Sequence, residues 1–359
     1  MAKRRTGLWL LLLLLICGAL VFYYFRYSRH ALLPDSSASI SAGDQAVCFL
    51  PGGILVAGEN PALYDTGGNS LPASSSGFTG DTDWRQVRRK DDYILTADNR
   101  LYDGAALPLR MVCDTEEGLD ILDFLPLSED AFLLYAAYQD GEPFLEWVQP
   151  GQDLIALPIG EGLTYLSMDD TGDGGASVLF LDATGASPST QVLHYRDGEM
   201  VGSLSLPNEM NFELYRLPSH ILLVGTHQIV CYNVEDGGLL WSVSLSGAGR
   251  PWILRDGDRL LCYLGESAIG IDGNALWVQT DGSYETGKFP GGLSHLIRCR
   301  DMLAAVQNDR TLTVLRRDGA VMASSDPGTD IKDLYWPSET PQQLFARTGD
   351  GQVLILGTP

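Results

Sequence analysis

The chain has 359 residues, with 24 Lys or Arg against 46 Asp or Glu, a formal charge of −22. That balance excludes nucleic acid as a partner, because phosphate binding needs concentrated positive charge. At 45% hydrophobic the chain is too apolar for disorder, its length suggests about two domains, and its 40 glycines imply many turns.

Residues 1–30 read as a cytoplasmic tip and a membrane anchor. Lys3, Arg4 and Arg5 precede an uncharged apolar run from Gly7 to Phe25. Such a run spans roughly 28 Å as a helix, close to the hydrocarbon thickness of a bilayer. Trp9 lies near one end and Tyr23, Tyr24 and Tyr27 near the other, where amphipathic rings favour the water interfaces. The bulky Val21–Phe25 stretch offers a signal peptidase little to cut. Cys17 follows Ile16, where a lipoprotein needs a small residue. An uncleaved single span is therefore expected. Three basic residues before the run against Arg26 and Arg29 after it place the amino terminus in the cytoplasm and the rest outside. Beyond residue 30 the 19 basic and 46 acidic residues leave −27, so the body should stand off an anionic lipid surface. Residues 31–37 read as a linker, and 38–359 as one extracytoplasmic domain.

A period near 41 residues runs through that domain. Apolar strands recur at Ile54, Ile94, Phe132, Val178, Ile221, Leu260, Leu303 and Leu344. Each run is short, partly β-branched or aromatic, and bounded by Gly, Asp or Asn. Turns follow at Asp65–Gly67, Asp103–Gly104, Pro150–Gly151, Asp197–Gly198, Asp236–Gly237, Asp272–Gly273 and Asp318–Gly319. Asp-Gly suits tight hairpins because both residues tolerate positive φ. A short strand before each landmark and two after it make four antiparallel strands per period. The expected fold is all-β, a β-propeller of eight four-stranded blades (seven as the alternative), preceded by one transmembrane helix. The eighth unit ends after Gln352–Leu356 and lacks its own outer strand. Ala38–Ser41, ahead of the first blade, is expected to supply it and clasp the ring. Removing residues 36–43 should then destabilise the whole ring.

The stretch Gln228–Trp241 resembles the quinoprotein-like (PQQ-like, WD40-like) propeller repeat. Tyr232, Asp236, Gly237 and Trp241 stand where that repeat has its Tyr strand, turn and Trp, and Asp272, Gly273 and Trp277 repeat the turn and Trp. The resemblance implies the fold, with both tryptophans packing between blades. Redox quinoproteins of this fold are long chains with a bound calcium and often a vicinal disulfide. This chain is shorter and has no adjacent cysteine pair, so no quinone is expected.

Asp169-Asp-Thr-Gly-Asp-Gly-Gly-Ala-Ser177 resembles the calcium loops of integrin-type propellers. Oxygens of Asp169, Thr171 and Asp173 could converge on a hard cation. Thr stands at one acidic position and Ser177 at the closing one, so an acidic hairpin turn competes with calcium. Cys48, Cys113, Cys231, Cys262 and Cys299 lie singly near strands and read as free buried thiols, with Cys231 and Cys262 candidate neighbours. No His–Glu metal spacing, nucleophile elbow or P-loop occurs. Arg85, Arg88, Arg89 and Lys90 form a basic cluster that could meet an acidic partner or another copy, against a plain solvated face. The preferred role is a non-enzymatic scaffold or sensor that binds a protein or envelope polymer. The alternatives are a carbohydrate-active hydrolase or lyase using carboxylates at the funnel, and a calcium-assisted ligand-binding module.

Overall fold

The computed structural model describes residues 16–18, 30–31, 33–72, 76–78, 82–114, 118–128, 131–139, 141–149, 154–207, 210–247, 249–299, 301–337 and 342–358. They form eight sheets, the blades of a propeller, whose own strands at 47–65, 87–114, 119–157, 163–207, 211–244, 252–287, 293–325 and 331–357 run antiparallel. All eight landmarks of the sequence period fall on the second strand of their blade. Blade 1 has three strands, its fourth reduced to a single bridge between Tyr64 and Ser70, while the sheet of blade 7 has five and that of blade 8 reaches four with Leu33–Ser41. The first strands of neighbouring blades approach each other most closely, so they line the central axis.

The ring follows from burial. In blade 5 the second strand, His220–Gly225, is buried at every position. Its side chains alternate between two neighbours, as strand geometry requires. Ile221 and Leu223 pack toward blade 4, and Leu222 and Val224 toward blade 6. A strand covered on both faces reads as a continuous apolar run, and so the landmarks show no polar alternation. The described residues form eight apolar clusters, one at each junction between consecutive blades, including blade 8 against blade 1.

Closure at the last junction comes from the amino-terminal side. The strand Leu33–Ser41 pairs antiparallel with Gln352–Gly357, with Ser39, Ile40 and Ser41 opposite Leu354, Val353 and Gln352. This strand starts at Leu33, so most of the segment read as linker is paired or bulged sheet. His30–Ala31 adds a second link, parallel to Ala323–Ser324 on the outer strand of blade 7. Ile40 is 4% exposed and joins the cluster between blades 8 and 1. The amides of Ala42 and Gly43 donate to the carbonyl of Gly351 at 2.9 and 3.1 Å. Gly351 has φ +78°, and a Cβ there would lie 2.3 Å from the Gly43 carbonyl oxygen, so only glycine fits the clasp. Of residues 1–30, read as tip and anchor, only Ile16–Gly18, which are helical, and His30, in the strand just named, are described. Among the described residues no helix is long and apolar enough to cross a membrane.

Most Asp-Gly turns join the third and fourth strands of their blades, as Asp236–Gly237 does. Asp272–Gly273 departs from this. It lies between the second and third strands of blade 6, and the turn equivalent to Asp236–Gly237 is Asp281–Gly282. Trp277 therefore stands on a third strand and Trp241 on a fourth. Cys48, Cys231 and Cys262 are buried free thiols. Cys231 and Cys262 share the cluster between blades 5 and 6, where burial pushes the Cys231 thiol up to about 12.

Ile40→Ala should cost about 3 kcal/mol of stability, and deletion of 33–41 more than that, by opening the last junction. Thermal melting of the full chain checks this. Unchanged melting in the deletion variant would contradict closure by this strand.

Candidate partner-binding groove

The two ends of the axis differ in chemistry. Where the first strands finish, charged side chains reach sideways into neighbouring blades. Where they begin, aromatic side chains stand at the surface.

The charged end absorbs the basic cluster of the sequence. Arg88, Arg89 and Lys90 lie on the first strand of blade 2, Val87–Lys90. Arg88 donates to the carbonyls of Ile121 and Leu122 in blade 3, the latter at 2.6 Å. Arg89 donates to the Phe49 carbonyl in blade 1 at 2.8 Å and lies 4.6 Å over the Tyr335 ring of blade 8. Lys90 pairs with Asp123 of blade 3 at 3.4 Å, and Tyr165 of blade 4 donates to the same carboxylate. Arg85 is turned to Asp83 at 2.5 Å, and holds that carboxyl down at about 2. Arg88, Arg89 and Lys90 thus link blades, while Arg85, Arg88 and Arg89 remain exposed at the surface.

Other carboxylates at this end are used in the same way. Asp169 accepts from the Arg216 amide at 2.6 Å and from Arg255 at 2.5 Å, joining blades 4, 5 and 6. Asp256, its side chain 1% exposed, accepts from Arg298 at 2.6 Å and Arg317 at 3.1 Å across blades 6 and 7.

The loop read as a calcium site is the turn between the first two strands of blade 4. Thr171 and Asp173 meet there, the hydroxyl donating to the carboxylate, and Arg196 pairs with Asp173. Asp169 is directed away, toward Arg255. Among the described residues no group of three or more His, Cys, Asp or Glu is placed to hold a metal.

The repeat residues serve the junctions. Tyr232 packs between blades 4 and 5. Trp241 packs between blades 5 and 6, meets Tyr284 edge-on at 4.8 Å, and donates from Nε1 to the Gly282 carbonyl at 2.6 Å. Asp236 accepts from the Gly238 amide at 2.8 Å and shapes the turn. Trp277 packs toward blade 7 under Arg259, 5.6 Å from its ring.

The aromatic end carries a groove that no sequence motif marked. Trp252 opens the first strand of blade 6 directly after Arg250-Pro251, and is 39% exposed. Its ring lies 5.3 Å from that of His295. On one side is a cavity of about 340 Å³ lined by Arg250, Trp252, Tyr263, Glu266, Ser267 and Leu293. On the other is one of about 330 Å³ lined by Glu213, Tyr215, Arg250, Pro251, Trp252 and Ile253. Arg250 and Trp252 form the shared wall. Arg250 pairs with Glu213, whose second oxygen accepts from the Tyr215 hydroxyl at 2.9 Å. Burial pushes the Tyr215 phenol up to about 12. The Tyr263 hydroxyl donates to the Pro290 carbonyl at 2.9 Å, which fixes the far wall. Phe212 and Met210, 37% and 57% exposed, lie at the same end of the neighbouring blade. A rigid Trp, Tyr and Arg set beside exposed apolar side chains is the composition of a protein-binding hot spot. The glycine-rich connection before Arg250-Pro251-Trp252 was the available signal.

No family model and no curated protein matches the chain. Among solved structures, the chain is similar to BamB from Moraxella catarrhalis, at 17% identity over 91% of this chain and 98% of that one, with a TM-score of 0.47. It is similar also to the WD40 propeller domain of Doa1, at 12% identity over 90% and 96%, with a TM-score of 0.44. A third likeness is to BBS1N in complex with ARL6DN, at 13% identity over 92% and 98%, with a TM-score of 0.42. Similarity at this level concerns the fold and carries no functional argument.

Since Asp169 and Asp173 point to different arginines, calorimetry at millimolar calcium should give no saturable heat. A saturable heat abolished by Asp173→Ala would instead support the calcium loop.

Proposed function

We propose that this propeller is a membrane-anchored, extracytoplasmic and non-enzymatic scaffold that docks a partner protein of the cell envelope against the Trp252 groove. The observation that carries the reading is Trp252 itself, exposed on a rigid strand between two adjoining cavities. An exposed tryptophan flanked by Arg250 and Tyr215 gives a partner large buried area with little loss of side-chain freedom. The charged end of the axis supports the same reading. Glycoside chemistry needs two carboxylates left open to substrate. Asp123, Asp169 and Asp256 are instead each engaged by cations or hydroxyls of other blades. The anchoring rests on the uncharged run from Gly7 to Phe25, and the outside placement on the basic residues before it. A body of −27 favours a neutral or basic partner surface.

The test is photocrosslinking from position 212 in the full chain, in its native membrane. A defined partner should be captured, lost in Trp252→Ala, and kept in a control, Leu239→Ala, on the outer strand of blade 5. Melting should be the same in all three. Capture that survives Trp252→Ala would overturn the groove, and resistance of the body to protease added outside intact cells would overturn its placement.

A further inference from the structure

A second cleft lies at the opposite end of the ring, between blades 4 and 5. It measures about 340 Å³, and its walls include Thr171, His194, Arg196, Gly202, Ser203 and Arg216. Two features of its floor stand out.

The first is a buried cation with no carboxylate in direct contact, Asp169 and Asp173 acting on it only from a distance. Arg216 ends the first strand of blade 5 and is 8% exposed. One guanidinium nitrogen, Nη1, donates to the carbonyls of Leu217 and His220, the latter at 3.0 Å. The Nε has no hydrogen-bond partner. Among the described residues no carboxylate forms an ion pair with Arg216, because Asp169 is turned to Arg255 and Asp173 to Arg196. A buried charge left unpaired is among the costliest arrangements a fold can hold. Burial accordingly pulls the guanidinium below its ordinary value.

The second is an uncovered imidazole. His194 is 9% exposed and shares a hydrogen bond with Ser177 through Nδ1 at 2.9 Å, while its Nε2 has no partner. Burial, with the Arg216 charge nearby, holds its pKa down at about 4, so the ring is neutral at physiological pH. Opposite His194 in the sheet stands Gly202, and a bulge there leaves Val201 out of the pairing. Without a side chain at 202 the cleft stays open above the imidazole. Bulges and strand glycines recur where a ligand approaches a sheet.

We propose that this cleft binds an oxyanion, a carboxylate or phosphate group, which gives Arg216 a direct ion pair and takes its second contact from His194, at the side of the cleft away from the exposed Glu235. The guanidinium fork matches both groups in plane and spacing. Arg196 stands at the rim, half exposed and paired with Asp173, and can turn to an entering anion. The site is distinct from the Trp252 groove and does not depend on the scaffold reading.

The experiment is calorimetry on the purified full chain with inorganic phosphate, sulfate or succinate, against sodium chloride at equal ionic strength. At least one oxyanion should bind saturably. Binding by phosphate and sulfate alone assigns a phosphate-type ligand, and binding by succinate alone a carboxylate. Arg216→Gln should weaken binding about tenfold or more, as loss of a charged hydrogen-bond partner does. Gly202→Leu fills the cleft while leaving both donors in the chain. The backbone there has ordinary φ, and a Cβ would sit 3.5 Å from the His194 ring, so folding should be kept and binding lost. Absence of saturable binding by all three anions, or unchanged binding in Gly202→Leu, would overturn the proposal.

Discussion

Everything in this structure depends on burying both faces of small sheets. A blade such as His220–Gly225 with its partners carries apolar side chains on each side, and no single neighbour covers both. A row of blades would leave two faces bare. The junction between blades 8 and 1 alone buries nine side chains, among them Phe49, Ile54, Phe345 and Ile355. Each of the larger ones is worth roughly 1.5–3 kcal/mol on burial. Opening the junction would expose them together, in a fold whose net stability is about 5–15 kcal/mol. An open ring is therefore not a neighbouring state of the closed one, and the strand Leu33–Ser41 holds the final junction shut.

Closure also sets the chemistry of the axis. Eight first strands converge there, and each brings polar groups that must find partners in other blades. At one end they do so through Lys90–Asp123, Asp169–Arg255 and Asp256–Arg298. Pairs that bridge blades orient the ring and leave those carboxylates little freedom for catalysis. At the other end the first strands begin at the surface, and Phe212 and Trp252 stand clear of the blade packing. The propeller thus presents a rigid aromatic groove on one side and a polar cleft around Arg216 on the other.

Much of this was legible in the sequence, because propeller periodicity is local. Ile54, Phe132, Ile221 and Leu344 mark second strands by apolar runs, and the hairpin turns carry their own glycine chemistry. The clasp was legible too, through the missing outer strand of the eighth unit. What escaped was whatever depends on a neighbour some forty residues away. Asp272–Gly273 has the composition of a hairpin turn, yet blade 6 uses it one connection earlier. Arg88 and Arg89 are exposed as a surface patch would be, but nothing local shows that the carbonyls of Ile121 and Phe49 also receive them. Arg216 and His194 look ordinary along the chain, and only the blade 4–5 junction leaves them buried together. Trp252 was passed over because the Trp of the repeat resemblance belongs to blade packing, and Trp252 does not pack there.

The central claim is that the amino-terminal strand is an integral part of the ring. Native-state hydrogen exchange tests it most directly. If the ring is closed through Leu33–Ser41, the amides of Ile40 and of Val353 to Ile355 exchange as slowly as those of Leu222 to Val224 in blade 5, through one shared opening. Rapid exchange at Ile40 and Val353, with blade 5 still protected, would contradict the account.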